Sequence, residues 1–196
     1  MQDMQTATSS APANDPETAT ALERMYAAIR ATTSVPTDWQ SVIDALVCDL
    51  SGKLPPAEDV LREVRAQARR GSDRGQVLHV EPDGSFSVVA LIFSPGQATS
   101  VHDHTTWCAV AVVTGTEYEE RFDLDESGQT LLLTRTRTEH AGTVSGFAPP
   151  GDIHRVTNPG PAVSISLHVY GTDIARIGTS VRRTYDLPIA RTHEFD

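Results

Sequence analysis

The sequence predicts a mainly β protein, a small barrel or jelly roll placed behind an N-terminal helical segment. From Gly75 onward, short runs rich in Val, Thr, Leu and Phe are cut by the turn pairs Asp83-Gly84, Pro95-Gly96, Ser127-Gly128, Pro150-Gly151 and Pro159-Gly160, the spacing of an all-β unit. Ahead of that point apolar residues recur at helical intervals instead. Residues 164–170 alternate polar and apolar side chains without a break, the period of a strand with two distinct faces.

Taken in order, residues 1–16 are rich in Gln, Thr, Ser, Ala and Pro and have no apolar periodicity, so they read as a disordered tail. From Glu17 to Ala31, Leu22, Met25, Tyr26 and Ile29 fall on one helical face. Thr37 with Gln40 forms a capping-box pattern before Val42, Ile43, Leu46, Val47 and Leu50. Gly52 stops that second helix, and Pro55-Pro56 opens a third that carries Val60, Leu61 and Val64 and ends near Gly71. Residues 17–196 therefore read as one domain, helical over 17–70 and barrel over 71–196.

The 39% hydrophobic and 21% charged content is that of an ordinary globular chain, and 196 residues suffice for one substantial core. Sixteen basic against twenty-six acidic residues leave a net charge of -10, which argues against nucleic acid or an anionic membrane as partner. An anionic substrate would need a local Arg. No apolar run approaches the ~20 residues that span a bilayer, and no basic-then-apolar leader opens the chain, so a cytoplasmic location is expected. Cys48 and Cys108 are far apart and read as reduced thiols, Cys48 as ordinary helix packing.

The most informative residues are His102 and His104. In a strand they share a face while Asp103 turns away, which makes half of a metal site or, more plainly, a solvated strand end. His154 is the third imidazole, entering its strand just after the Pro149-Pro150-Gly151 turn. Ser166, His168 and Tyr170 project to one face of the alternating strand, either as a self-satisfied polar trio or as groups aimed at that site.

Two stretches resemble the paired signature of the cupin family. Gly96, His102, His104 and Gly115 stand in register with its first motif, and Pro149, Gly151, His154 and Asn158 with its second. Where most metal cupins carry a Glu ligand this chain has Cys108, which leaves three imidazoles and no carboxylate. His-Asp-His-Thr at 102–105, Gly-Asp-Ile-His-Arg-Val at 151–156 and Ser-x-His-x-Tyr at 166–170 narrow the resemblance to thiol dioxygenases of the cysteine dioxygenase type.

That resemblance implies Fe(II) held by His102, His104 and His154, a small thiol and O2 as partners, and Tyr170 at the reacting atoms with His168 and Ser166 as its relay. L-cysteine going to cysteine sulfinate is the expected reaction, with 3-mercaptopropionate or another sulfur product as alternatives. In animal members a cysteine at the place of Cys108 forms a thioether with the tyrosine that matches Tyr170. Those members also hold the substrate carboxylate with an Arg at the place of Gln76. Gln there resembles bacterial relatives, which use an Arg after the Ser-x-His-x-Tyr strand, so Arg183 or Arg182 is expected to take that load. Adjacent strand residues face opposite sides, so only one can enter the pocket. Trp107 is read as a pocket wall, or as core. A zinc cupin or a ligand-binding cupin without turnover are the competing classes. Neither needs Ser166, His168 and Tyr170.

Overall fold

The computed structural model describes residues 19–35, 37–69 and 76–191. The expected tail at 1–16, the expected helix start at Glu17 and its counterpart stop at Gly71 lie outside them. Helix α1 (Ala21–Thr33) is opened by Thr20 and Glu23, whose side chains and backbone N–H groups satisfy each other reciprocally. Helix α2 (Trp39–Leu50) is capped by Asp38 and not by Thr37. The Asp38 carboxylate accepts from Ser41 N at 3.0 Å, and Gln40 turns down the helix to Asp44. An anion at the cap also meets the helix dipole favourably, which a hydroxyl one residue earlier cannot do. Helix α3 (Ala57–Arg69) follows Pro55-Pro56 as expected.

The strands are β1 (Val77–Val80), β2 (Ser87–Phe93), β3 (Val101–His104), β4 (Cys108–Thr114), β5 (Thr116–Leu124), β6 (Leu131–His140), β7 (Val144–Phe147), β8 (His154–Thr157) and β9 (Ser164–Tyr170). A short helix α4 (Ile174–Ile177) leads to β10 (Val181–Tyr185) and β11 (Ile189–Arg191). They form a five-stranded sheet in the order β1-β2-β9-β4-β7 and a six-stranded sheet in the order β10-β3-β8-β5-β6-β11. This is the mainly β, two-sheet cupin barrel that the sequence implies.

Period-two alternation sorts the five-stranded sheet into two jobs. Val88, Ala90, Ala109, Ala111, Ile165, Leu167 and Val169 point outward, where Leu22, Met25, Ile29, Ile43, Leu46 and Val60 of the helices cover them. Cys108, Val110, Ser166, His168 and Tyr170 point inward to the six-stranded sheet. Every residue of β9 is buried because both of its faces are covered. Cys48 differs from expectation, for it is exposed on α2.

Candidate metal centre and polar relay

His102 and His104 sit on β3 with a one-residue spacing, and β8 pairs antiparallel with β3 so that His154 stands opposite His102. The peptide between Pro149 and Pro150 is cis, and Gly151 at φ 93 completes the turn that brings Asp152 and His154 under β3. The three rings meet edge to face at centroid distances of 4.7, 4.7 and 5.0 Å. One ring nitrogen from each lies within 4.8 Å of the others.

Each imidazole spends its Nδ1 on an acceptor behind it. His102 Nδ1 donates to the Ser100 carbonyl at 2.9 Å, His104 Nδ1 to Asp152 Oδ2 at 3.1 Å, and His154 Nδ1 to Glu119 Oε1 at 2.9 Å. A carbonyl or carboxylate can only accept, so Nδ1 carries the proton and every Nε2 lone pair is left for the centre of the site. Burial pushes His102 down to about 4 and lowers His154 as well, which keeps both rings neutral. Against its own burial, the His154 hydrogen bond and the Arg121 charge hold Glu119 down at about 2. Three ring nitrogens backed by two carboxylates and a carbonyl fit a divalent transition metal, and a softer substrate anion can supply the missing negative ligand.

Across the barrel, β9 presents the relay. Tyr170 Oη and His168 Nδ1 are 3.3 Å apart, and His168 Nε2 and Ser166 Oγ 3.1 Å. The Tyr170 ring lies 6.2 Å from the His104 ring, centroid to centroid. Burial pushes His168 down to about 3 and raises the Tyr170 hydroxyl, so neutral forms of both prevail at neutral pH. Cys108 faces Tyr170 directly in the β4–β9 register, and its Sγ is 3.8 Å from His168 Nδ1. Complete burial keeps that thiol protonated.

A cavity of about 450 Å³ opens beside His102 and Tyr170, with Gln76, Ser100, Thr179 and Ser180 among its walls. Gln76 is therefore where a substrate could reach it. Arg182 and Arg183 are not, and the expectation that one of them enters the pocket is corrected here. A bulge between Val181 and Arg183 breaks the alternation of β10, and both guanidinium groups turn to Asp103 Oδ2, at 2.5 and 2.8 Å. Tyr185 donates to the same oxygen at 2.8 Å. Asp103, which turns away from the metal face as the alternation requires, is thus a buried clamp that fastens β10 to β3.

Of the two readings of Trp107, core is the one the structure bears out, and the pocket-wall reading is corrected. It belongs to the helix-side core, and its indole lies on Gly171, where an added Cβ would stand 2.1 Å from Nε1. It precedes β4 and packs beneath the sheet instead of walling the cavity. Glu119 and Asp152, the carboxylates behind His154 and His104, escaped sequence reasoning. The visible signal was weak: Glu119 lies in a charged run that reads as a solvated strand, and only the β5–β8 pairing puts it under His154.

Among solved structures, an oxalate oxidase in complex with the substrate analogue glycolate is 20% identical, with 45% of this chain and 43% of that chain covered and a TM-score of 0.39. A Lactobacillus farciminis oxalate decarboxylase in a formate complex is 22% identical over 46% of this chain and 25% of that one, at a TM-score of 0.39. A Bacillus subtilis oxalate decarboxylase is 23% identical over 46% and 22%, also at 0.39. The chain therefore spans less than half the length of these proteins. Among the described residues no helix is long and apolar enough to cross a membrane. The profile of the family described as cysteine dioxygenase type I matches residues 63–180, a stretch that contains all three imidazoles and the whole Ser-x-His-x-Tyr strand, and the chain belongs to that family of cupin thiol dioxygenases.

Proposed function

We propose that this protein is an Fe(II)-dependent dioxygenase that adds both atoms of O2 to the sulfur of L-cysteine and gives cysteine sulfinate. One observation carries this reading: three buried imidazoles without a carboxylate among them converge inside the barrel, with a Tyr170–His168–Ser166 chain close by, the Tyr170 ring 6.2 Å from the His104 ring. Iron held by His102, His104 and His154 would supply a redox-active centre with open positions for thiolate sulfur and dioxygen. Atoms balance without an external reductant, since a thiol plus O2 makes a sulfinic acid. Tyr170 Oη, fixed by His168, donates a hydrogen bond toward the reacting atoms. His168 holds that hydroxyl in place and Ser166 holds His168. Phe147, 4.6 Å from the His104 ring and 4.8 Å from the His154 ring, keeps water from that side.

Cavity chemistry favours L-cysteine over 3-mercaptopropionate. Among the described residues lining it there is no Lys or Arg, and the groups they offer a carboxylate are the Gln76 amide and hydroxyls. Zwitterionic cysteine brings its own cation. Cys108 and Tyr170, directly opposed across β4 and β9, stand at the ~4.5 to 5.5 Å Cβ separation of such pairs, close enough for a thioether to form with loss of two hydrogens to O2.

The test is anaerobic purification with metal analysis, followed by oxygen-electrode assays on L-cysteine, 3-mercaptopropionate and cysteamine. Iron near one per chain and fastest uptake with L-cysteine are expected. Stoichiometric zinc and no uptake with any thiol would overturn the reading. Intact-mass analysis after turnover should find part of the sample two hydrogens lighter, with Cys108 no longer alkylatable.

A further inference from the structure

Beyond His154 and His168 the barrel interior holds a second polar cluster that the reaction above does not use. Glu117 on β5 and Glu139 on β6 stand directly opposite each other in the strand register and are only 3% and 5% exposed. Like charges so placed repel even on a solvated sheet, and in a dry interior two carboxylates cannot both stay ionised. Glu139 has compensation: Ser145 Oγ donates to its Oε2 at 2.9 Å, and Arg137 Nη1 is 3.2 Å from Oε1. Oε1 of each carboxylate lacks a hydrogen bond, but Glu139 Oε1 has the Arg137 cation beside it, whereas Glu117 has no ion pair among the described residues. The unshared proton therefore belongs to Glu117.

The surroundings agree. Charged and titratable groups near Glu117 are Glu119 on its own strand, Glu139 and Arg137 on β6, His154 on β8 and His168 on β9. The β7 side brings Ser145 and the β4 side Val110, neither of which titrates. Burial raises the Glu117 carboxyl to about 7, offset in part by the hydroxyls of Ser166 and Ser164 and reinforced by Glu139. Ser166 is the outer end of the relay. Neither serine is hydrogen-bonded to Glu117 here, but a cavity of about 20 Å³ is lined by both Glu117 and His168, the relay residue bonded to Ser166, together with Glu139, Ser145 and His154, room for roughly one bridging water.

We propose that Glu117 is a positioning residue whose proton sets the direction of the hydrogen-bond chain that runs from Glu117 through Ser166 and His168 to Tyr170. His168 is neutral, so it has one N–H and one lone pair, and the chain has two senses. With Glu117 protonated, the carboxyl donates toward Ser166 Oγ, the Ser166 hydroxyl to His168 Nε2, and His168 Nδ1–H to Tyr170 Oη. The Tyr170 proton is then free to point at the reacting atoms. When Glu117 loses its proton to solvent, Ser166 donates to the carboxylate and His168 donates from Nε2. Tyr170 must now donate to Nδ1, and its proton is turned away from the metal site. The inference rests on the thiol dioxygenase reading for its effect on rate, but not for the change in hydrogen bonding.

Ultraviolet resonance Raman reads the second directly. The tyrosine Fermi doublet of the holoenzyme, assigned by difference from Tyr170→Phe, should move from an acceptor to a donor pattern as pH rises through about 7, and should not move in Glu117→Gln. At pH 8 about a tenth of molecules keep a proton of that affinity, so kcat should drop to about a tenth of its pH 6 value. Glu117→Gln should hold kcat within about twofold over that range with KM unchanged. Glu139→Gln, which removes the facing charge and keeps Glu117, should shift both transitions to lower pH, and serves should Glu117→Gln not fold. A wild-type doublet that stays fixed from pH 6 to 8, or a Glu117→Gln protein that keeps the doublet shift or the fall in kcat, overturns the inference. Absence of uptake with every thiol would instead overturn the function proposed above, and the doublet would still decide this one.

Discussion

The two faces of β9 are equally buried and chemically opposite. Outward, Ile165, Leu167 and Val169 are 0 to 2% exposed under the helices. Inward, Ser164, Ser166, His168 and Tyr170 are 0 to 7% exposed around the site. Burial alone thus says nothing about whether a face stabilises or reacts. The outer face removes apolar surface from water, at about 25 cal/mol per Å². The inner face must find a partner for each polar atom or lose free energy; Ser166, His168 and Tyr170 find theirs along their own strand, while Ser164 Oγ has none. A strand with one face of each kind fastens a polar constellation to an apolar frame.

Losing an imidazole should separate the two faces most sharply. His154→Ala leaves two ligands and takes the donor from Glu119 Oε1, while Arg121 still donates to Oε2. Bound metal should fall to background and oxygen uptake with it, while the helix-side core is untouched and the protein still unfolds cooperatively. Metal analysis and an oxygen electrode on one preparation check this. Full iron content with normal turnover would show that the site lies elsewhere.

Next in size is the reverse experiment. Leu167 is fully buried in the core between helix and sheet, and Leu167→Ala should cost about 2 to 5 kcal/mol in chemical denaturation. Its kcat/KM per folded molecule should match the parent, since the side chain points away from the site. A change in kcat/KM larger than the loss of folded protein would mean that the two faces are coupled.

Much of this division was legible beforehand. Alternation over 164–170 assigned each β9 residue to its face, the His102 and His104 spacing put two imidazoles together, and helical periodicity found three helices. What failed depended on pairing between distant strands. The charged Thr116–Leu124 strand looks solvated until β8 is laid against it, and Arg182 and Arg183 look split between two faces until a bulge turns both to Asp103. Trp107 follows the same rule: only contact with Gly171 and the helices shows which side of the sheet it takes. Local periods carry direction along one strand. They carry no register between strands.

Glu119 offers a finer probe of the inner face. Glu119→Gln keeps the shape and replaces the charge that orients His154 through Nδ1–H. Carboxylates behind ligating imidazoles typically contribute 10- to 100-fold to metal affinity, so a metal-competition titration should find a loss in about that range. The folded state also loses a pH-dependent contribution. Glu119 has a folded value near 2, below the ordinary carboxylate range, so its stabilisation is present above about 4 and is lost as pH falls toward 2. The Gln variant should therefore show a shallower decline in melting temperature on acidification than the parent.

The smallest effect is expected at Arg183, and it is the sharpest test of where the site ends. The guanidinium is more than half exposed and spends its hydrogen bonds on Asp103 Oδ2, which also accepts from Arg182 and Tyr185. Arg183→Ala therefore leaves that oxygen with two donors, and the clamp between β10 and β3 persists. Since neither Arg lines the cavity beside His102, KM for L-cysteine should stay within about twofold of the parent. A charge-assisted contact to the substrate carboxylate would be worth ~1.5 to 3 kcal/mol, so its loss would raise KM roughly ten- to a hundredfold. Steady-state kinetics on Arg183→Ala and Arg182→Ala separate the two outcomes without ambiguity of magnitude. A rise of that larger size in either variant would mean that β10 rearranges when substrate binds, and that the boundary between clamp and site drawn through Asp103 is wrong.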